Sequence, residues 1–201
     1  MNGKKFPIVD GHTGADLVKV KTQISPNMLS CFFPLFQQGI TVEVETGCSI
    51  KELLCGQMGI DHVYLEERIT TIFLNGKPVD DCAAAVVGDG AVLALSAAMP
   101  GLVGAMLRKG GFYSAMRSDI TYRTQNADSI RAKGRIRLKL FNSIMGEAGP
   151  LVLRRGIIIP RSKVMKLISE TSAEILSGDM PANGDDSADA DILLAVEILT
   201  S

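Results

Sequence analysis

The sequence predicts an α+β fold, on three observations. Short stretches alternate apolar and polar residues with the period of half-buried strands, as in residues 40–45 (ITVEVE) and 135–141 (RIRLKLF). A helix with clear start and stop signals follows the first of these, opened by Ser49-Ile50-Lys51-Glu52 and closed by Gly59. Two strong turn signals, Asn75-Gly76 and Gly88-Asp89-Gly90, then divide the strands that come after it.

Taken in order, residues 17–24 (LVKVKTQI) alternate as a strand, and Ser25-Pro26-Asn27 ends it. Residues 28–36 (MLSCFFPLF) are apolar and interrupted by Pro34, which fits a short helix or an irregular packed segment. In the strand at 40–45, Ile40, Val42 and Val44 face one way, and Thr41, Glu43 and Glu45 the other. Ser49 and Glu52 form a capping box, in which each side chain satisfies a free backbone N–H of the other's turn. Ile50, Leu53, Leu54 and Met58 make the apolar stripe of that helix. Residues 69–74 (ITTIFL) are β-branched and aromatic, and residues 91–95 (AVLAL) read as a buried strand.

This order over residues 17–104 resembles the β-grasp sulfur carriers of thiamin and molybdopterin biosynthesis, which share a fold with ubiquitin. The matching residues are 41–45, 49–54, 73–79 and 88–95, with 17–24 as the opening strand. The resemblance implies a hairpin, a capped helix, a strand ending in an Asn-Gly turn, a Gly-Asp turn and a last strand. It also implies chemistry at a free Gly-Gly chain end, where the terminal carboxyl is adenylated and converted to a thiocarboxylate. The sequence departs there: Met99-Pro100-Gly101-Leu102 follows the last strand, and the chain runs on to residue 201. One Gly-Gly occurs downstream, at Gly110 and Gly111. Cleavage after Gly111 would create a carrier-like tail; a turn between a short helix and the next strand is the expected reading.

The second half predicts a strand at 135–141 and another beginning at 151–153, followed by Arg154-Arg155-Gly156 and then Ile157-Ile158-Ile159-Pro160, and a helix over 162–176 with Val164, Leu167, Ile168 and Ile175 on one face. Residues 112–123 are strand-like at both ends, 178–191 form a polar loop, and 192–199 (ILLAVEIL) fit a buried strand or helix. The expected organisation is a β-grasp domain over 1–111 and a smaller basic α+β unit with an acidic tail over 112–201. Residues 135–153 with the following helix resemble the opening of the molybdopterin-type carrier, so a degenerate β-grasp repeat is the alternative for this unit.

Charge is strongly segregated. Residues 1–104 carry 7 basic and 11 acidic side chains, residues 105–166 carry 14 and 3, and residues 167–201 carry none and 8. Arg131, Lys133, Arg135, Arg137, Lys139, Arg154 and Arg155 are therefore the candidate anion-binding residues, for RNA or another anion. Nucleic acid is not favoured, because aromatics for base stacking are lacking there apart from Phe141. Neutralisation by Asp185, Asp186, Asp189 and Asp191 of the acidic tail is the simpler expectation.

The four cysteines form no C-x-x-C pair and the two histidines are too few for a metal site, so no metal or cofactor is expected. The N-terminus lacks a secretory apolar run and no stretch is long enough to span a bilayer, which places the expected location in the cytoplasm and off the membrane. No nucleophile–base pattern, phosphate loop or dinucleotide fingerprint occurs. The functional expectation is a non-catalytic protein-interaction or scaffold module. Met99, Leu102, Val103 and Met106 are its candidate docking face, for a protein partner or for self-association.

Overall fold

The computed structural model describes residues 17–117, 120–123, 130–171, 174–177 and 190–199. Strand β1 (Val18–Ile24) leads into a 3-10 helix over Pro26–Phe32 and then α1 (Phe33–Gln38), which bury Phe32 and Phe36. Gly39 (φ 101°) ends α1 and starts β2 (Ile40–Thr46). A short ladder, β3 (Cys48–Ser49) with β6 (Val86–Val87), brackets the capped helix. There the backbone N–H of Ser49 donates to Glu52 Oε2 at 3.0 Å, and that of Glu52 donates to Ser49 Oγ at 3.1 Å. This reciprocal pair is the capping box that the sequence predicts. The helix is π-wound over Glu52–Gln57 and closes on Gly59 (φ 71°), where Ile60 N–H reaches Leu54 O.

Helix α2 (His62–Glu67) is capped by Asp61, whose Oδ1 accepts from the N–H groups of Val63 and Tyr64. Strands β4 (Thr71–Leu74) and β5 (Lys77–Pro78) turn on Asn75 (φ 51°) and Gly76 (φ 78°), the two positive angles that an Asn-Gly hairpin turn requires. Strand β7 (Val92–Ser96) follows, then α3 (Gly101–Leu107) and a 3-10 helix over Phe112–Arg117. The second half holds β8 (Ala132–Phe141), α4 (Ile144–Glu147), α5 (Gly149–Arg155), β9 (Ile157–Pro160), α6 (Arg161–Thr171), β10 (Glu174–Ser177) and β11 (Asp191–Ile198).

Several expectations need correction. Residues 151–153 are helical: Pro150 sits in the first turn of α5, Leu and Arg are good helix formers, and Gly156 (φ 110°) ends it. The helix expected over 162–176 stops at Thr171, whose hydroxyl donates to Leu167 O. Residues 174–177 instead pair with β1, a tertiary contact that local periodicity cannot register. Residues 112–117 form a 3-10 helix, not a strand.

Among the described residues the main sheet has nine strands, in the order β10-β1-β11-β9-β2-β8-β7-β4-β5. β1 does not open a hairpin with β2, as the resemblance implies. Residues 25–39 fold as two short helices rather than as the short loop a hairpin needs, and β1 pairs with β11 and β10. Beside β2 stands β8, antiparallel, and β8 lies parallel to β7. Strands from the two sides of residue 111 thus interleave: β8 lies between β2 and β7, and β1 between β10 and β11.

The inward residues of all the long strands form one core. Val42, Val44, Ile136, Leu138, Leu93, Leu95, Ile72, Ile157, Leu194 and Val20 pack there with Phe36, Leu53, Leu54, Leu65, Val152 and Val164 from the helices. The outward positions of β2, and of β8 as far as Lys139, are polar. Cross-strand register sets Glu43 opposite Arg135, Glu45 opposite Lys133, and Thr41 opposite Arg137. No helix among the described residues is long and apolar enough to cross a membrane.

Candidate functional site

β9 is only four residues long and meets β2 at one register pair, Thr41 with Ile158. Beyond it, the edge of β2 has no strand partner among the described residues. Its exposed backbone groups are satisfied by side chains instead. Gln57, at the end of the π-wound turn, accepts from Glu45 N–H and donates to Glu45 O, both at 2.8 Å. Arg155, at the end of α5, donates to Gln57 O and to Glu43 O. The end of β9 therefore opens a cleft on the outward sheet face, of about 880 Å³. One rim is Leu17, Lys19 and Leu193, from the β1–β11 side. The other is Glu43, Glu45 and residues 131–135, from β2 and β8, with Gln57 and Arg155 also lining it.

Of the seven basic residues singled out in the sequence, Arg131, Lys133, Arg135 and Arg155 come together here. Arg137 and Lys139 lie further along β8, where their side chains cross Gly39. A Cβ on Gly39 would sit 2.7 Å from Arg137 Cγ and 3.2 Å from Lys139 Cε. Arg154 is exposed and does not line the cleft. Among the described residues, two of these four cations have carboxylate partners, and these come from the first half of the chain. Arg135 pairs with Glu43 at 3.2 Å, and Arg131 with Glu52 at 2.8 Å. Asp185, Asp186 and Asp189, expected to neutralise this face, lie outside the described residues; Asp191 opens β11 opposite Pro160. Glu52 is held below the usual carboxylate range, first by the Ser49 backbone N–H and then by the Arg131 guanidinium. Arg131 is raised in return by Glu52.

Lys19, Leu17 and Leu193 were not recognisable as site residues in the sequence, because they reach the cleft only through the β1–β11 pairing. The β2–β8 pairing did leave a signal. Val42-Glu43-Val44-Glu45 and Lys133-Gly134-Arg135-Ile136-Arg137 have matching periods and opposite outward charges. The Gly-Asp-Gly turn fastens this pair: Asp89 Oδ1 accepts from Arg135 N–H at 2.8 Å, and Gly90 N–H donates to Arg135 O. Gly134 leaves room for it, since a Cβ there would stand 2.6 Å from Asp89 Oδ1.

The second candidate surface is the hairpin of α3 and the following 3-10 helix, which pack together. Leu102 and Val103 are about two-thirds exposed (67% and 65%), Met99 is at the border of exposure, and Met106 is half-buried. The 3-10 helix adds Phe112, Tyr113 and Met116, and Ile120 follows, none of which the sequence reading assigned to this face. Phe112 and Tyr113 stack edge-on, with centroids 5.2 Å apart. A polar clamp holds the hairpin down. Arg117, almost wholly buried, forks onto both carboxylate oxygens of Asp80 at 2.6 and 3.0 Å, and also donates to Met106 O and Thr121 Oγ1. Lys109 pairs with Glu66 at 2.9 Å and donates to Leu65 O.

Comparison with known families, curated proteins and solved structures found no match. The chain's own geometry therefore carries the functional reading. Gly110 and Gly111 form the turn of the hairpin: Gly110 N–H donates to Asp80 Oδ1, Gly111 N–H to Arg108 O, and Gly111 O accepts from Ser114 N–H. All four cysteines are free thiols; burial pushes that of Cys82 up to about 11 and raises those of Cys48 and Cys55.

Proposed function

We propose that the chain is a non-catalytic interaction module built on a β-grasp unit, and that it docks a protein partner through the α3 hairpin. The order β2-β8-β7-β4-β5, with the capped helix after β2 and the Asn-Gly and Gly-Asp-Gly turns in place, supports the β-grasp reading. In this reading β8 stands where the opening strand would. The kinship with sulfur carriers is then one of fold, since Gly110 and Gly111 are tied into the body by Asp80 and Arg108.

One observation carries the docking reading. Of the thirteen large hydrophobic side chains exposed among the described residues, seven lie between Met99 and Ile120. An apolar concentration of this kind marks an interaction surface, whereas scattered exposed hydrophobics do not. A buried arginine fork holding the hairpin in place favours a pre-formed face over a loosely attached loop. The test is site-specific photo-crosslinking of the full-length chain in its native host. A benzophenone side chain at position 103 is expected to yield a discrete adduct that disappears with Phe112→Ser and Met116→Ser. The same probe at the exposed Val63 of α2 should give none. An adduct of twice the chain mass identifies self-association. Absence of any discrete adduct at position 103, or equal adducts from position 63, overturns the reading.

A further inference from the structure

The cleft beside β2 is independent of the hairpin and calls for a different kind of ligand. Three of its cations come from three separate elements: Lys19 from β1, Lys133 from β8 and Arg155 from the end of α5. None of the three has a carboxylate within ion-pair distance among the described residues. Among the described residues, five cations against two carboxylates give the lining a formal charge of +3, or +2 once Glu52, paired with Arg131, is counted. Holding like charges together in one concave site is unfavourable unless a counter-charge joins them, and the cleft walls strengthen the field between them.

Shape and composition narrow the ligand. The volume, about 880 Å³, suits a small organic molecule. Apolar Leu17 and Leu193 share a rim with Lys19, so the site offers cations and a less polar wall together. A nucleic-acid track would need an unbroken cationic row. Here Glu43 and Glu45 alternate with the β8 cations across the sheet, and Arg137 and Lys139 are turned over Gly39 outside the cleft. The cations can meet two or more negative charges close together, which a diphosphate or triphosphate supplies. We propose that the cleft binds a small organic polyphosphate, with the phosphates recognised by Lys19, Lys133 and Arg155 and the body of the ligand against Leu17 and Leu193.

Calorimetric titration of the full-length chain at low ionic strength tests this, with ATP, inorganic pyrophosphate and adenosine as probes. ATP and pyrophosphate are expected to bind saturably at one site per chain, and adenosine not to bind. Lys19→Glu and Lys133→Glu replace exposed side chains, so the fold should survive, as circular dichroism will check. Each should weaken ATP binding by on the order of tenfold or more. Lys163→Glu, on the exposed side of α6, should leave it unchanged. The proposal is overturned by failure of both phosphate probes to saturate or by an equal loss in Lys163→Glu. It is also overturned by a short single-stranded RNA that binds tighter than ATP with a steep salt dependence.

Discussion

The nine-stranded sheet has two halves that meet at the β2–β9 seam, and they are built alike. Outward from the seam on one side come β8, β7 and β4; on the other come β11, β1 and β10. On each side the pairings run antiparallel, parallel, antiparallel. On each side a helix links the seam strand to the third strand outward: the π-wound helix and α2 on one side, α6 on the other. The difference lies in how each half is fixed. The β2 half carries local devices, namely a capping box and an Asn-Gly turn, although its strand β8 comes from far along the chain. The β9 half likewise takes one distant strand, β1, whose partner positions in β11 lie more than 170 residues away in the sequence. The comparison teaches that each half completes the same pattern with a strand from the other part of the chain, and that the turns and caps, not that pairing, can be read in advance.

The sharpest test asks whether the halves are one cooperative unit. Leu138 of β8 is fully buried, opposite Ile40 of β2 and Leu93 of β7. Leu138→Ala is expected to cost about 2–5 kcal/mol, through lost transfer energy and the cavity left behind. Because β1 and β8 each cross from one half to the other, the loss should appear equally at Ile72 of β4 and Val196 of β11 in native-state hydrogen exchange. If Val196 keeps its protection while Ile72 loses it, the halves unfold separately and the likeness between them is one of shape only.

Much of the β2 half was legible because its signals are short-range. Ser49 and Glu52 are three residues apart, and Asn75-Gly76 and Gly59-Ile60 are adjacent pairs. Strand partners were legible only in part, since the opposite charge that marks β8 as a partner for β2 marks β1 as well. Residues 18–24 and 132–141 are both alternating, basic on their outward face and apolar inside, so either could be written beside β2. What decides is the connection. Residues 25–39 bury Phe32 and Phe36 in helical turns, and that packing removes β1 from the hairpin. The cleft was half legible for the same reason. Its β8 cations share one strand, but Lys19 and Leu193 reach it through a parallel pairing between positions more than 170 residues apart in the sequence.

A middle-sized effect is expected from the capping box, the device that most clearly separates the two halves. Ser49→Ala removes the acceptor for Glu52 N–H and should cost about 1 kcal/mol at neutral pH. The pH dependence follows from Glu52. Its folded value is lowered, so its contribution is fully present above the unfolded value of about 4.3 and is lost as pH falls through the folded value. Urea denaturation across pH should therefore show the Ser49→Ala deficit narrowing on the acid side of that value. A deficit constant from neutral pH down to well below it would mean that the serine caps the helix without the reciprocal glutamate.

The smallest effect on stability belongs to the cross-strand pair at the cleft, yet it bears on function most directly. Glu43 and Arg135 stand 3.2 Å apart with side chains 53% and 39% exposed, so solvent screens most of their attraction. A double-mutant cycle with Glu43→Gln and Arg135→Gln is expected to give a coupling of about 0.5 kcal/mol or less, shrinking further in salt. The same Glu43→Gln substitution removes one of the two carboxylates in the cleft lining. Stability and anion affinity should then move apart: the fold changes little, while pyrophosphate binds more tightly because less negative charge competes for the cations. If pyrophosphate affinity instead falls in step with stability, Glu43 serves to organise the cleft cations rather than to oppose the ligand, and the two rims act as one structural unit.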